Sequence, residues 1–512
     1  MKNWLKIILS MIFLFGLVVL AIVAVAVVFN IQYTFIFLGF ILIDFLFSFV
    51  IFFSKRRYEV KFSWIIFINF FPIIGLCSYL MFGRKYHYSN QKTLFYEKIN
   101  KNEYQNNLLT NDKVKKTVGL IPQHFVKTVD LINEIAEKPL YQNNAIEIME
   151  NGAKCFQRML DDLDNAKSYI LLNYFIIADG ELFEIVCAVL RDRIAAGVQV
   201  FMIYDHVGSY FKISKKSIRK LRKIGVIVQK FLPIITPFIN GNANYRNHRK
   251  DVVIDGLVGY TGGINLADVY ANQSAKFGLF HDVQVRIVGK AVRGLEVTFV
   301  DDWYFATKHQ EKLTELVPAI LQTKNYNSQG TAIVQIVSHG PSIDQSVTKD
   351  VYLSLINSAQ KRIWLSTPYF IPPVELIEAL KLAARSGIDV RLIIPGLTDK
   401  IFVLDITKTY CRELIEAGVK IFEMNGIFNH NKIAIFDNDV TIIGSCNLDY
   451  RSFFADHQTS AIIYDQAVVE TFLPRWEWDF QHAIMWQEWP IKYKPLKYRF
   501  LLVCLKLFAP IL

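Results

Sequence analysis

What most limits how this 512-residue chain can fold is that, beyond residue 140, its second half repeats its first. Ala166-Lys167-Ser168-Tyr169-Ile170, leading to Tyr174-Phe175-Ile176, returns as Ala359-Gln360-Lys361-Arg362-Ile363, leading to Tyr369-Phe370-Ile371. Gly197-Val198-Gln199-Val200-Phe201-Met202-Ile203 returns as Gly387-Ile388-Asp389-Val390-Arg391-Leu392-Ile393, and Gly225-Val226-Ile227-Val228 as Gly418-Val419-Lys420-Ile421. Each unit reads strand, helix, strand, helix, strand. That alternation predicts an α/β fold with a largely parallel sheet between helices, and the duplication predicts two lobes, 140–325 and 326–490, about a pseudo-twofold axis.

Both halves arrive at the same signature. His248-Arg249-Lys250 is followed by Asp255, and His430-Asn431-Lys432 by Asp437, each of the form HxKxxxxD; Asn265 and Asn447 each stand 17 positions after their His. Two matches in register are not a chance product, although a lone His is more often a hydrogen-bonded core or surface residue. On a strand, residues 248 and 250 share parity, so imidazole and ammonium project from one face. Asp255 has the opposite parity and opens Asp255-Gly256, a turn signal matched by Asp437-Asn438, so both aspartates read as turn or scaffold members of the set. Two such strands meeting across the axis gather two His and two Lys around one cavity suited to a phosphodiester. One imidazole can attack phosphorus while the other protonates the leaving oxygen, with the lysines supplying positive charge without a metal. Asn265 and Asn447 are candidate phosphate donors, with turn capping beside Gly262-Gly263 and Gly444-Ser445 as the plainer role.

Composition bears on where such a site works. The chain is 52% hydrophobic with a net charge of +11. The apolar excess lies before residue 83, in runs at 7–29, 31–54 (with Asp44) and 62–82 (with Asn69 and Pro72). A cleavable leader is the competing reading of the first run, but the run is long and others follow it. The basic groups Lys2/Lys6, Ser54-Lys55-Arg56-Arg57 and Arg84/Lys85 each favour the cytoplasmic side. Three full spans cannot satisfy all three, so a Pro-interrupted third segment that dips in and returns is the other option. The layout expected is a membrane anchor of two to three hydrophobic segments over 1–83, a linker over 84–139, the two lobes facing the cytoplasm, and a basic amphipathic segment over 491–512. The cluster Lys212, Lys215, Lys216, Arg219, Lys220, Arg222 and Lys223 reads equally as a solvated helix face or a contact with an anionic surface. Six scattered cysteines show no metal or disulfide spacing, no cofactor is expected, and nothing sets an oligomeric state.

At these residues the sequence resembles the phospholipase D superfamily, and within it the bacterial cardiolipin synthases. The likeness extends through Pro72-Ile73-Ile74-Gly75, Phe82-Gly83-Arg84, Asn244-Tyr245-Arg246-Asn247, Gly262-Gly263-Ile264-Asn265, Asp302-Trp303, Ser366-Thr367-Pro368-Tyr369-Phe370 and Gly444-Ser445-Cys446-Asn447-Leu448-Asp449. It implies that one phosphatidylglycerol donates its phosphatidyl group to a His, releasing glycerol, and a second accepts it to give cardiolipin. It also implies His248 as nucleophile, His430 as general acid, and Asp282 as the carboxylate orienting the first His. Gln458 stands where a Glu commonly follows the second motif, Asp456 where an Asn does, and Asn173 where a Glu does. A Gln in place of that Glu is expected to weaken His430 as an acid. The alternatives are a phospholipase D-type hydrolase, a phosphatidyltransferase with another acceptor, and, lower, a membrane-tethered nuclease. No nucleic acid is expected, because the basic stretch lacks the aromatic interleaving of a base-stacking surface. Residues 231–244, rich in Pro, Ile and Phe, are expected as a hydrophobic wall for lipid access or a surface loop.

Overall fold

The computed structural model describes residues 31–83, 117–233, 244–272, 279–307, 328–341, 346–400 and 402–511, with side chains of the first helix from Gly39 onward. The first apolar run, the Arg84/Lys85 tail and most of 231–244 lie outside the described residues.

The N-terminal part is helical. Helix α1 (Ile31–Phe53) carries Asp44 as its one charge, and the chain then turns through the basic loop into α2 (Tyr58–Phe70). Pro72 cannot donate a backbone hydrogen bond, so the helix breaks at Phe71 and resumes as α3 (Pro72–Phe82). Gly75 lets α3 press back on α2: a Cβ there would lie 2.7 Å from the Ile68 Cα. Over the described residues no helix is long and apolar enough to cross a membrane. Asp44 is buried within the helical cluster. This cluster docks on the second lobe: Arg57 pairs with Glu375 (2.7 Å) and covers the Phe454 ring, and Ser63 Oγ donates to the Leu507 carbonyl (2.6 Å).

Of the expected linker, the described part belongs to the second lobe. Helix α4 (Val126–Ala136) sends Val129 and Ile132, with Phe125, into the same core as Val351, Leu355 and Leu376, because its apolar residues fall on one face.

In the first lobe the strands are β1 (Tyr141–Met149), β2 (Tyr169–Tyr174), β3 (Gln199–Asp205), β4 (Ile227–Phe231), β5 (Lys250–Ile254), β6 (Val258–Gly262) and β7 (Gln284–Val288). Helix α5 (Glu181–Ala195) joins β2 to β3, and α6 (Lys215–Lys223) joins β3 to β4. The second lobe repeats the plan in β8 (Ala332–His339), β9 (Arg362–Ser366), β10 (Asp389–Pro395), β11 (Lys420–Met424), β12 (Ile433–Phe436), β13 (Val440–Gly444) and β14 (Asp456–Tyr464). Its crossovers are α7 (Val374–Arg385) and α8 (Val403–Glu416). Strand order is β4-β3-β2-β5-β6-β7-β1 in one lobe and β11-β10-β9-β12-β13-β14-β8 in the other, as the duplication predicts.

The largely parallel sheet, however, is not found. Only β2, β3 and β4, and likewise β9, β10 and β11, pair in parallel; every other pairing along those two orders is antiparallel. The short turns at Asp255-Gly256 and Asp437-Asn438 account for one of these in each lobe, β5 with β6 and β12 with β13, since a chain reversed so tightly can only pair antiparallel. Strand β1 is shared: Tyr141 and Asn144 pair with Val334 and Ala332 of β8, and residues 145–149 pair with β7. One buried cluster draws on both lobes, including Leu171, Phe201, Val285 and Trp303 from the first and Trp364, Ile435, Ile443 and Trp476 from the second. The lobes are therefore one packed body, and the site between them is held from both sides.

Asp255 and Asp437 sit at the two motif turns and bond to backbone. Asp255, at φ 53°, accepts from the backbone N–H groups of Lys167, Ser168 and Tyr169 at 2.7 to 2.9 Å. Asp437, at φ 54°, accepts from those of Gln360, Lys361 and Arg362 at 2.7 to 3.1 Å. Each carboxylate thus clamps the motif turn to the start of the neighbouring strand. Asp437→Ala is expected to cost about 3 kcal/mol, because three part-buried N–H donors lose a shared charged acceptor. The check is thermal unfolding in detergent, with activity falling in proportion to folded protein and its pH profile unmoved.

The C-terminal segment forms α9 (Leu496–Phe508). It is tied to α8 through Tyr498 and Asp405 (2.7 Å), and it leaves Leu496, Phe500, Val503 and Leu507 exposed.

Candidate active site

Each motif is reached by a short extended segment that pairs with the opposite lobe. Arg246–Asn247 lies parallel to Asp456 and His457, and Ile427–Asn429 lies parallel to Leu279–His281. The His248 N–H donates to the His457 carbonyl (2.9 Å), and the His430 N–H donates to the His281 carbonyl (2.7 Å). The next residue in each accepting segment is thereby delivered to the imidazole. That residue is Gln458 for His248 and Asp282 for His430.

This corrects the expected pairing. Asp282 does not orient the first His and Gln458 does not face the second; the pseudo-twofold crosses them over. His430 Nδ1 lies 2.6 Å from Asp282 Oδ2. Lys432 Nζ lies 2.7 Å from the same ring nitrogen, but a nitrogen donating to a carboxylate cannot also accept from an ammonium. The charge-assisted bond to Asp282 takes the proton, and Lys432 donates to the His430 carbonyl. His430 Nε2 is left for chemistry. His248 Nδ1 lies 3.1 Å from both the Ser445 carbonyl and Gln458 Oε1, which are two neutral acceptors. The Nδ1 proton is therefore held there and Nε2 carries the lone pair. Ser445 Oγ donates to Gln458 Oε1 (2.6 Å), fixing the amide with its oxygen toward the ring.

Lys250 and Lys432 stand beside their histidines, yet neither pair lies within a regular strand. Lys250 is the first residue of β5, and Lys432 precedes β12. The His and its Lys meet because the lysine reaches back: Lys250 donates to the His248 carbonyl as Lys432 does to that of His430. Both lysines are buried. Burial and the facing Lys432 ammonium push Lys250 well below the ordinary lysine value; burial pushes Lys432 down to about 8, against the pull of Asp282 and Asp399. Burial with the Lys250 and Lys432 charges holds His248 well below the ordinary imidazole value. Burial and Lys432 lower His430 too, opposed by Asp282. An anion set between the two lysines would favour their charged forms again, which suits the pocket to a phosphodiester. Lys432→Met is expected to lower kcat/KM about a hundredfold through loss of that charge, read as initial rates in mixed micelles.

The candidate phosphate donors diverge. Asn265 is engaged in structure: its Oδ1 accepts from the Ile176 N–H (2.9 Å) and its Nδ2 donates to the Tyr270 hydroxyl (2.6 Å). Asn447 is buried with its Oδ1 unpaired. The three departures also fall into place. Asn173 bridges Asp302 (2.7 Å) and Asn247 (2.8 Å) beneath the first motif, and Asp456 pairs with Arg451 (3.1 Å).

Sequence reasoning missed several contributors. Ser445 sits inside the quoted Gly444-Ser445-Cys446-Asn447 stretch, but its carbonyl role has no side-chain signal. Arg249, the middle residue of the first motif, pairs with Asp302 (2.6 Å) and donates to Thr459 Oγ1 (3.0 Å) and the His339 carbonyl (3.1 Å), so it ties the lobes together under the site. Aromatic rings wall the imidazoles. Phe175 stands 4.9 Å from His248, and Phe280, Phe428, Tyr270 and Tyr369 stand 5.3 to 6.3 Å from His430, centroid to centroid.

Residues 352–480 match the family model described as cardiolipin synthase, PLD-like domain, and residues 36–84 match that described as phospholipase D-nuclease N-terminal. A cardiolipin synthase of Halalkalibacterium halodurans is 34% identical over 90% of this chain and 91% of its own. One of Listeria monocytogenes is 36% identical over 82% of this chain and 87% of its own. Among solved structures, the phosphatidylserine synthase of Haemophilus influenzae superposes with a TM-score of 0.58 at 17% identity, over 75% of this chain and 100% of that one, a likeness of fold. One residue in three shared along nine tenths of a relative's length, on a duplicated fold that closes around paired His and Lys, makes this chain a member of the bacterial cardiolipin synthase family of phospholipase D-type phosphatidyltransferases.

Proposed function

We propose that this protein makes cardiolipin from two molecules of phosphatidylglycerol by way of a phosphohistidine on His248. The observation that carries the reading is the unequal partnering of the two imidazoles. His248 is held by neutral acceptors and presents a free Nε2 lone pair; His430 is held by a carboxylate that favours its charged form. In the first step His248 Nε2 attacks phosphorus, the bond to the glycerol oxygen breaks, and His430 gives that oxygen its proton. In the second step neutral His430 takes the proton of a hydroxyl on another phosphatidylglycerol. That oxygen attacks phosphorus, the P–N bond breaks, and His248 is regenerated. Lys250 and Lys432 hold the nonbridging oxygens through both steps, with Asn447 assisting as a donor through Nδ2. Exchange of one phosphodiester for another needs little driving force, and the aromatic walls around His430 favour a lipid hydroxyl over water.

The membrane is both the source of substrate and the seat of the protein in this reading. Its multi-pass anchor is the N-terminal apolar region, with Lys55, Arg56 and Arg57 placing the lobes on the cytoplasmic side. The exposed apolar face of α9, with Lys497, lies at the interface of an anionic bilayer. The test is incubation of reconstituted protein with phosphatidylglycerol labelled in its free glycerol. Cardiolipin and released glycerol in equal amounts support the transferase; phosphatidic acid alone sinks it in favour of a hydrolase.

A further inference from the structure

We propose that the loop 206–213, with Tyr210 and Phe211 at its tip, inserts into the surface of an anionic bilayer and holds the His248 side of the site against it. The inference rests on the lipid-transfer reading above and adds the surface that performs the contact.

Phe211 is 92% exposed and Tyr210 58%, their rings edge to face at 4.9 Å. Large apolar side chains held this far into solvent are uncommon unless something covers them. The tip is held firmly. Asp205, which ends β3, accepts from the Val207 and Gly208 N–H groups (both 2.9 Å) and, through its other oxygen, from the Asn247 N–H (2.9 Å), one residue before His248. Ser209 Oγ accepts from the Ile177 N–H and donates to the Phe175 carbonyl, each at 3.1 Å, and the Phe175 ring is the one packed on His248. A Cβ on Gly208 would lie 2.5 Å from that same carbonyl, so the loop is pressed onto the site wall. The aromatic tip and the His248 imidazole are thus fixed to one short piece of backbone.

Charge selects the partner. Helix α6 follows the loop and buries Ile218 and Leu221, which turns Lys215, Lys216, Arg219, Arg222 and Lys223 outward beside Lys212. Among the described residues, only Lys220 of this cluster is ion-paired, to Glu184. Exposed aromatics ringed by unpaired cations fit the boundary between acyl chains and anionic headgroups. The duplication supplies a contrast. In the equivalent loop after β10 the side chains reach back to the site instead: Asp399 accepts from the Tyr369 hydroxyl (2.6 Å) and Lys400 lies 4.4 Å over the Tyr369 ring, near His430. The apolar helices α1 to α3 dock on the second lobe through Arg57 and Glu375, so a contact at 206–213 adds a second point of attachment, on the first lobe.

The test uses the full-length protein with Tyr210→Ser and Phe211→Ser combined. Cardiolipin formation is compared in vesicles of phosphatidylglycerol and phosphatidylcholine and in detergent micelles of the same lipids. At least a tenfold loss in vesicles with less than a twofold change in micelles is expected; equal loss in both overturns the proposal. In parallel, Phe211→Cys carrying an environment-sensitive fluorophore, with Cys77→Ser and Cys504→Ser, is expected to be quenched by lipids brominated on the acyl chains. Water-like, unquenched emission, or a response to single-stranded oligonucleotide instead of vesicles, overturns it. Should the wild-type protein release only phosphatidic acid, the cardiolipin reading fails while the quenching still reports on insertion.

Discussion

His248→Ala is expected to abolish cardiolipin, glycerol release and the covalent phospholipid adduct together, a loss of about 10⁴-fold or more, since it removes the nucleophile itself. His430→Ala is expected to behave differently. It removes a proton donor and leaves the nucleophile, so turnover of phosphatidylglycerol falls about 10²- to 10⁴-fold. A phosphodiester whose leaving group needs no proton, such as a p-nitrophenyl ester, still forms the adduct on His248. The measurement is acid-quenched trapping of labelled lipid on protein with both substrates. An adduct in His248→Ala, or its absence in His430→Ala with the activated ester, would reverse the two roles.

The second large effect concerns the partners of the two rings. Asp282 raises the His430 pKa against burial and Lys432. Asp282→Asn removes that pull, so His430 loses its proton at lower pH. The limb of kcat/KM that needs the imidazolium then moves to lower pH, and the rate near neutrality falls about a hundredfold. Gln458→Glu acts in the opposite direction on the other ring. A carboxylate on Nδ1 raises the His248 pKa from its lowered position, so the acidic limb, below which the nucleophile is protonated, moves up by about one pH unit. Profiles of kcat/KM for the two variants decide this. If Asp282→Asn moves the acidic limb, or Gln458→Glu the alkaline one, the crossed pairing is not how the site works. The Gln is no defect on this view. A neutral acceptor is enough to hold the tautomer of a ring whose task is to remain uncharged.

Much of this was legible in the residues. The repeat alone implied two like lobes, and the paired HxKxxxxD signatures implied a phosphodiester site between them, because His, Lys and Asp at one spacing in both halves constrain each other. Parity and turn chemistry sufficed to read Asp255 and Asp437 as scaffold, since a turn's requirements are local. The same local reasoning overstated the parallel sheet, because crossover helices are conspicuous in a sequence and antiparallel returns over short turns are not. It also set each His and Lys together on a strand, where the structure has the lysine reaching back to its histidine's carbonyl.

The pairing of Asp282 with His430 and of Gln458 with His248 had no local signal. Each contact joins residues about 150 to 210 positions apart, and each depends on a short segment leaving its own lobe to pair with the other. The ties from Arg249 to Thr459 and to the His339 carbonyl likewise cross from one lobe to the other. The sequence by itself determined the repeat, the paired His and Lys and the family, because repetition and spacing are carried along the chain. Only the tertiary structure decided which carboxylate faces which imidazole, because that depends on the pseudo-twofold packing of one half against the other.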